Sequence, residues 1–139
     1  MKRWYKRFEE INNGRIHNKS SEHYEDEVYA FFMNCYHLKD WIKNDPVAAV
    51  SVINRVEGYI NNNPELSLCA DISNGLKHFQ LDRERSGESP EFGKKKAKLD
   101  IGKGPITIAL KYEITTNTGT IDAFDLATKC MKAWEIFLN

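Results

Sequence analysis

The chain has 139 residues, 20 Lys and Arg against 20 Asp and Glu, and 41% hydrophobic residues. That length and balance fit one globular domain with a real core and exclude a disordered polyelectrolyte. Zero formal charge gives no whole-protein field toward nucleic acid or an anionic membrane, so any such binding must come from a local patch. The whole chain, 1–139, is expected to form a single helical domain.

The first predicted element is a helix over 2–11, with Trp4, Phe8 and Ile11 on one face and Lys2, Arg3, Lys6 and Arg7 outside it. The run is basic but lacks the apolar stretch of a signal peptide. Nor does any apolar run approach the roughly 20 residues of a membrane span. The expected location is the cytoplasm, with no membrane partner. A second helix runs over 22–44, where Phe31, Cys35, Leu38 and Ile42 repeat at helical spacing. Asp45-Pro46 and Asn63-Pro64 both read as a capping residue followed by a proline at the first helical position. They predict helices over 46–61 and 64–80.

Residues 82–98 hold little that is apolar and end in Lys94-Lys95-Lys96-Ala97-Lys98. They are expected to be a flexible, net basic loop, and a lysine run of this kind is a candidate RNA phosphate contact. The period then changes to two: Ile106, Ile108, Leu110, Tyr112 and Ile114 alternate with polar or small residues. Thr116-Asn117-Thr118-Gly119 supplies turn chemistry, Thr120-Ile121 begins a return strand, and Leu99-Asp100-Ile101 offers a third. A β-hairpin insertion over 99–121 follows. Asp122 caps a last helix over 122–138, with Ala123, Leu126, Cys130, Trp134 and Phe137 inward. The expected fold class is mainly α: a bundle of about five helices with one β-hairpin before the C-terminal helix.

Cys35, Cys69 and Cys130 are odd in number and show no CxxC spacing. Each lies in apolar helical surroundings, so buried free thiols in a reducing compartment are expected, with no zinc ribbon.

Two helical segments carry unusual polar content. On the second helix, Asn34, His37 and Trp41 share a face, with Asp40 beside them. On the fourth, Asp71, Asn74 and His78 align at i, i+3 and i+7, with Gly75 and Lys77 adjacent. If the faces meet, His37, Asp40, Trp41, Asp71, Asn74 and His78 form one cluster. Read as a site, His78 is the general acid or base, with Lys77 and Asn74 holding an anionic group. The same cleft would suit a small ligand or nucleotide. Read as structure, the same residues are a satisfied polar network inside a bundle. His37 and Asp40 at i, i+3 with His78 would make a weak metal set without a His-x-x-x-His pair, so neither metal nor cofactor is expected.

His37-Leu38-Lys39-Asp40-Trp41, Asn74-Gly75-Leu76-Lys77-His78 and Ala133-Trp134-Glu135-Ile136-Phe137 resemble elements of an uncharacterised group of small bacterial proteins, over residues 28–138. The chain is more distantly similar to HEPN domains, helical bundles that are often dimeric and occur in toxins and antiviral ribonucleases. Their signature is an Arg, four to six residues, then a His late in a helix. His78 matches its histidine. The positions for the arginine hold Ser73, Ile72 and Asp71, and the nearest upstream arginine is Arg55. The resemblance therefore implies a HEPN-like bundle without catalysis. Such a module would bind an unidentified protein partner or its own copy, in a stress or phage-defence setting. A metal-independent ribonuclease using His78 is the alternative.

Overall fold

The computed structural model describes residues 1–77 and 85–139; residues 78–84, and the side chains of Leu76, Lys77 and Lys94, lie outside that description. Among the described residues five helices and four strands follow one another: α1 (Lys2–Asn13), β1 (Arg15–Ile16), α2 (Ser21–Asn44), α3 (Val50–Asn62), α4 (Pro64–Lys77), β2 (Glu91–Asp100), β3 (Thr107–Thr116), β4 (Gly119–Asp122) and α5 (Ala123–Leu138).

Three of the helix starts follow side-chain chemistry. Ser20 Oγ accepts from His23 N (3.3 Å) at the head of α2, and Asp122 Oδ1 accepts from Asp125 N (2.8 Å) at the head of α5. At α4, Asn63 Oδ1 accepts from Leu66 N (2.9 Å) and Pro64 takes the first helical position. The similar Asp45-Pro46 does something else. Asp45 Oδ1 accepts from Val47 N (3.0 Å) and Asp45 O from Ala48 N (3.1 Å), so a turn forms and α3 begins only at Val50. Gly14 closes α1 with φ 124°, a backbone state that side chains with a Cβ avoid.

The sheet is larger than one hairpin. β3 is its centre, pairing antiparallel with β2 on one side and with both β1 and β4 on the other. Arg15 and Ile16 lie opposite Ile108 and Thr107, so the N-terminal segment joins the sheet. The expectation of a loop over 82–98 is corrected in its second half, because residues 91–98 belong to β2. Backbone pairing needs no apolar side chain, and Lys-rich residues suit an edge strand that must not recruit another sheet. A register irregularity between Phe92 and Lys95 bends this edge.

Ile108, Leu110, Tyr112 and Ile114 of β3 are buried on the face covered by helices, as their alternation requires. Ile106 lies just before the strand and is exposed. α1 and α5 pack on β3, α2 packs on α1 and α4, and α4 lies against α3 and α5. The core between them is aromatic. Phe8, Phe31, Phe32 and Tyr24 are fully buried, and the Phe8, Phe31, Phe32, Tyr5, Phe124 and Phe92 rings meet edge-on, tilted or stacked at 5.2–6.1 Å.

Candidate functional site

α2 and α4 do pack together, but the polar residues on them take separate partners. Asp71 is fully buried. Its Oδ1 accepts from Arg85 N (2.8 Å), and its Oδ2 accepts from Ser86 N (2.8 Å) and Ser86 Oγ (2.5 Å). A buried carboxylate with three donors is satisfied where it stands. It ties residues 85–86 to α4.

His37 instead meets a residue of its own helix: Nδ1 lies 2.8 Å from Asp40 Oδ2, with both side chains well exposed. Asn34 Nδ2 donates to Ala30 O (2.7 Å). Asn74 is half-buried on α4. His78, the proposed catalytic residue, lies outside the described residues, as does the side chain of Lys77, so the cluster is brought together only as two separate pieces. Trp41 belongs to neither piece. It is 75% exposed, far from the core filler that its aromatic character suggests.

A charged hub that no local pattern announces lies between α2, α3 and the 85–86 segment. Glu57 Oε1 accepts from Lys39 Nζ (3.0 Å) and Lys43 Nζ (2.6 Å), and its Oε2 accepts from Arg85 Nη1 (3.2 Å). Arg85 Nη1 also reaches Asn61 Oδ1 (2.8 Å), and the Arg85 and Lys39 cations both stand over the Tyr36 ring, at 5.5 and 4.4 Å. Partial burial works against ionising Glu57, but the hydrogen bonds and charges of Lys43, Lys39 and Arg85 win and hold its carboxyl down at about 2. Lys39 is shifted upward: burial opposes its charge, and Tyr36 and Glu57 more than offset it. Arg85 sits in a polar stretch with neither helical nor strand period, so the sequence does not single it out.

An open cleft of about 360 Å³ with a mixed lining lies beside this hub, between Asn61, Pro64, Leu68, Arg85, Ser86 and Ile121 among others. It is a different place from the His37 face. Part of the basic segments is also engaged. Lys96 Nζ meets Glu113 at 2.8 Å and Lys95 Nζ meets Glu25 at 3.5 Å, while Arg3 and Arg7 stack over Trp4 and Arg7 pairs with Glu27 (3.6 Å). Such pairing reduces the charge these segments can offer to phosphate.

Cys35, Cys69 and Cys130 are buried free thiols. Among the described residues no helix is long and apolar enough to cross a membrane. Comparison of the chain with family models, with curated proteins and with solved structures finds no match.

Proposed function

We propose that this chain is a non-catalytic interaction module that pairs with a second copy of itself through the outer stripe of α2. The observation that carries the reading is Trp41, 75% exposed at the end of a helix whose other aromatics are buried or half-buried. Met33, His37, Trp41 and Asn44 follow one another along α2 at steps of four, four and three residues. They make an accessible stripe about 16 Å long. Val47 in the turn after α2 and Val50 at the start of α3 are also 87% and 70% exposed.

Four large apolar side chains at these exposures present on the order of 400 Å² per copy, more than scattered surface residues need. With the polar side chains between them, two copies would bury about 1,200 Å², the lower range for a specific interface. A two-fold axis at His37 sets two α2 helices antiparallel. Met33 of each copy then faces Trp41 of the other, a sulfur–aromatic contact made twice. The polar residues fit a structural role beside it: Asp71 spends its carboxylate on residues 85–86, and His37 pairs with Asp40.

Sedimentation equilibrium tests the reading. The wild-type chain is expected to show a concentration-dependent dimer, and Trp41→Glu a monomer with an unchanged helical spectrum, since the exposed ring supports little of the fold. A wild-type chain that stays monomeric, or a dimer that Trp41→Glu leaves intact, would overturn it.

A further inference from the structure

Three cysteines that are 34 and 61 residues apart in the chain converge in the core. Cys35 comes from α2, Cys69 from α4 and Cys130 from α5, and their sulfur atoms all lie within 4.8 Å of one another. All three residues are fully buried. Three independent helices are thus needed to assemble the triad, and no linear spacing could announce it.

The surroundings favour sulfur as a ligand. Cys69 Sγ donates to Phe32 O (3.5 Å) and Cys130 Sγ to Glu65 O (3.4 Å), each bond crossing from one helix to another, so these two sulfurs already have fixed positions. Trp134, 1% exposed, has an indole Nε1–H with no hydrogen-bond partner among the described residues. A buried N–H without an acceptor is costly, and a thiolate beside it would supply one. Hydrogen bonding from the Cys130 and Cys69 thiols, with Trp134 beside them, outweighs burial and holds the Cys35 thiol well below its ordinary range. Neighbouring sulfurs and burial hold the proton of Cys69 well above the ordinary range.

We propose that Cys35, Cys69 and Cys130 form a three-sulfur site for a soft monovalent metal ion, copper(I). Coordination number and softness select the ion. A planar three-sulfur site with metal–sulfur bonds of about 2.3 Å needs sulfurs about 4.0 Å apart, within a small adjustment of the observed limit. Zinc takes four ligands. The described residues supply three, none of them nitrogen or carboxylate, and all three are closed off from bulk solvent. Thiolate sulfur prefers copper(I) among first-row ions. Sulfur ligates as thiolate, so each cysteine that binds the ion releases its proton to solvent and coordination by all three displaces three protons.

The test loads the full chain anaerobically with buffered copper(I), challenges it with a chromophoric copper(I) chelator, and repeats the loading with zinc. One copper per chain should survive, X-ray absorption should show a sulfur-only shell, and thermal unfolding should move upward. Cys130→Ala should lose the retained copper while keeping its helical spectrum. If that variant does not fold, the sulfur count of the wild-type ion decides. Copper stripped completely by the chelator, a nitrogen or oxygen shell, or equal retention by Cys130→Ala would overturn the site. Equal retention of zinc would overturn the choice of ion.

Discussion

Removing the Asp71 carboxylate should show what the polar face of α4 is for. Asp71→Ala deletes the acceptor of three donated hydrogen bonds, from Arg85 N, Ser86 N and Ser86 Oγ. A hydrogen bond to a charged group contributes about 1.5–3 kcal/mol. The three share one carboxylate, and Arg85 and Ser86 are only half-buried, so water can reach the freed donors after a small shift. The expected loss is therefore about 3 kcal/mol rather than the sum. Asp71→Asn keeps one oxygen acceptor but turns an amide NH2 toward a donor, and should cost about 2 kcal/mol. Ser86→Ala removes only the hydroxyl bond and should cost about 1 kcal/mol, less so in a chain already carrying Asp71→Ala. Urea unfolding followed by far-UV circular dichroism reads the wild-type chain and all four variants, with the slope checked for constancy. A loss below about 1 kcal/mol for Asp71→Ala would refute the argument that this carboxylate is structural and would return it to the candidates for a site.

The Glu57 hub carries a pH dependence. Its folded carboxyl is held at about 2, below the unfolded value near 4.3, so its contribution is complete above the unfolded value and is lost as pH falls toward 2. After allowance for solvent screening at a side chain 34% exposed, the contribution is about 1 kcal/mol, and Glu57→Gln should flatten the acid limb of a stability–pH curve by that amount. A Cβ at Gly93 would meet Thr115 Oγ1 at 2.7 Å, so Gly93→Ala should cost about 1 kcal/mol and Thr115→Ala in the same chain should restore most of it, as a thermal-shift double-mutant cycle would show. Hydrogen exchange should be slower along β3, which is paired on both sides over much of its length, than along β2, which has one partner. Incubation with single-stranded RNA and no metal should leave the RNA intact on a denaturing gel; cleavage abolished by His78→Ala in a stably folded chain would restore the ribonuclease reading.

Much of the helical framework was legible because side-chain periodicity and capping are local. Asn63-Pro64 and Asp122 announced α4 and α5, and the alternation at Ile108, Leu110, Tyr112 and Ile114 announced β3. The misses have a common physical cause, since each depends on a partner distant in sequence. Nothing within Arg15-Ile16 marks a strand; Ile108 and Thr107 make it one. The Lys-rich stretch reads as solvated because side chains carry the sequence signal, whereas its pairing with β3 runs through the backbone. Asp45-Pro46 has the same residue types as a helix start, and the competing Asx turn takes it. At the candidate site, helical spacing put His37 beside Asp40 and Asp71 beside Asn74 on their own faces. Only the fold reveals that Asp71 turns to residues 85–86, that Trp41 stays in solvent, and that Cys35, Cys69 and Cys130 meet.

Pairing through α2 is tested most directly by a cross-link at its axis. His37 lies where the two copies would face each other, and the native thiols are buried, so a single His37→Cys substitution places one accessible cysteine per chain opposite its twin. Mild oxidation of this variant at low concentration should give a covalent dimer quickly and nearly completely. A control cysteine at the exposed position Glu10, on α1, should cross-link only slowly. Cross-linking of His37→Cys no faster than that of the control would contradict the pairing.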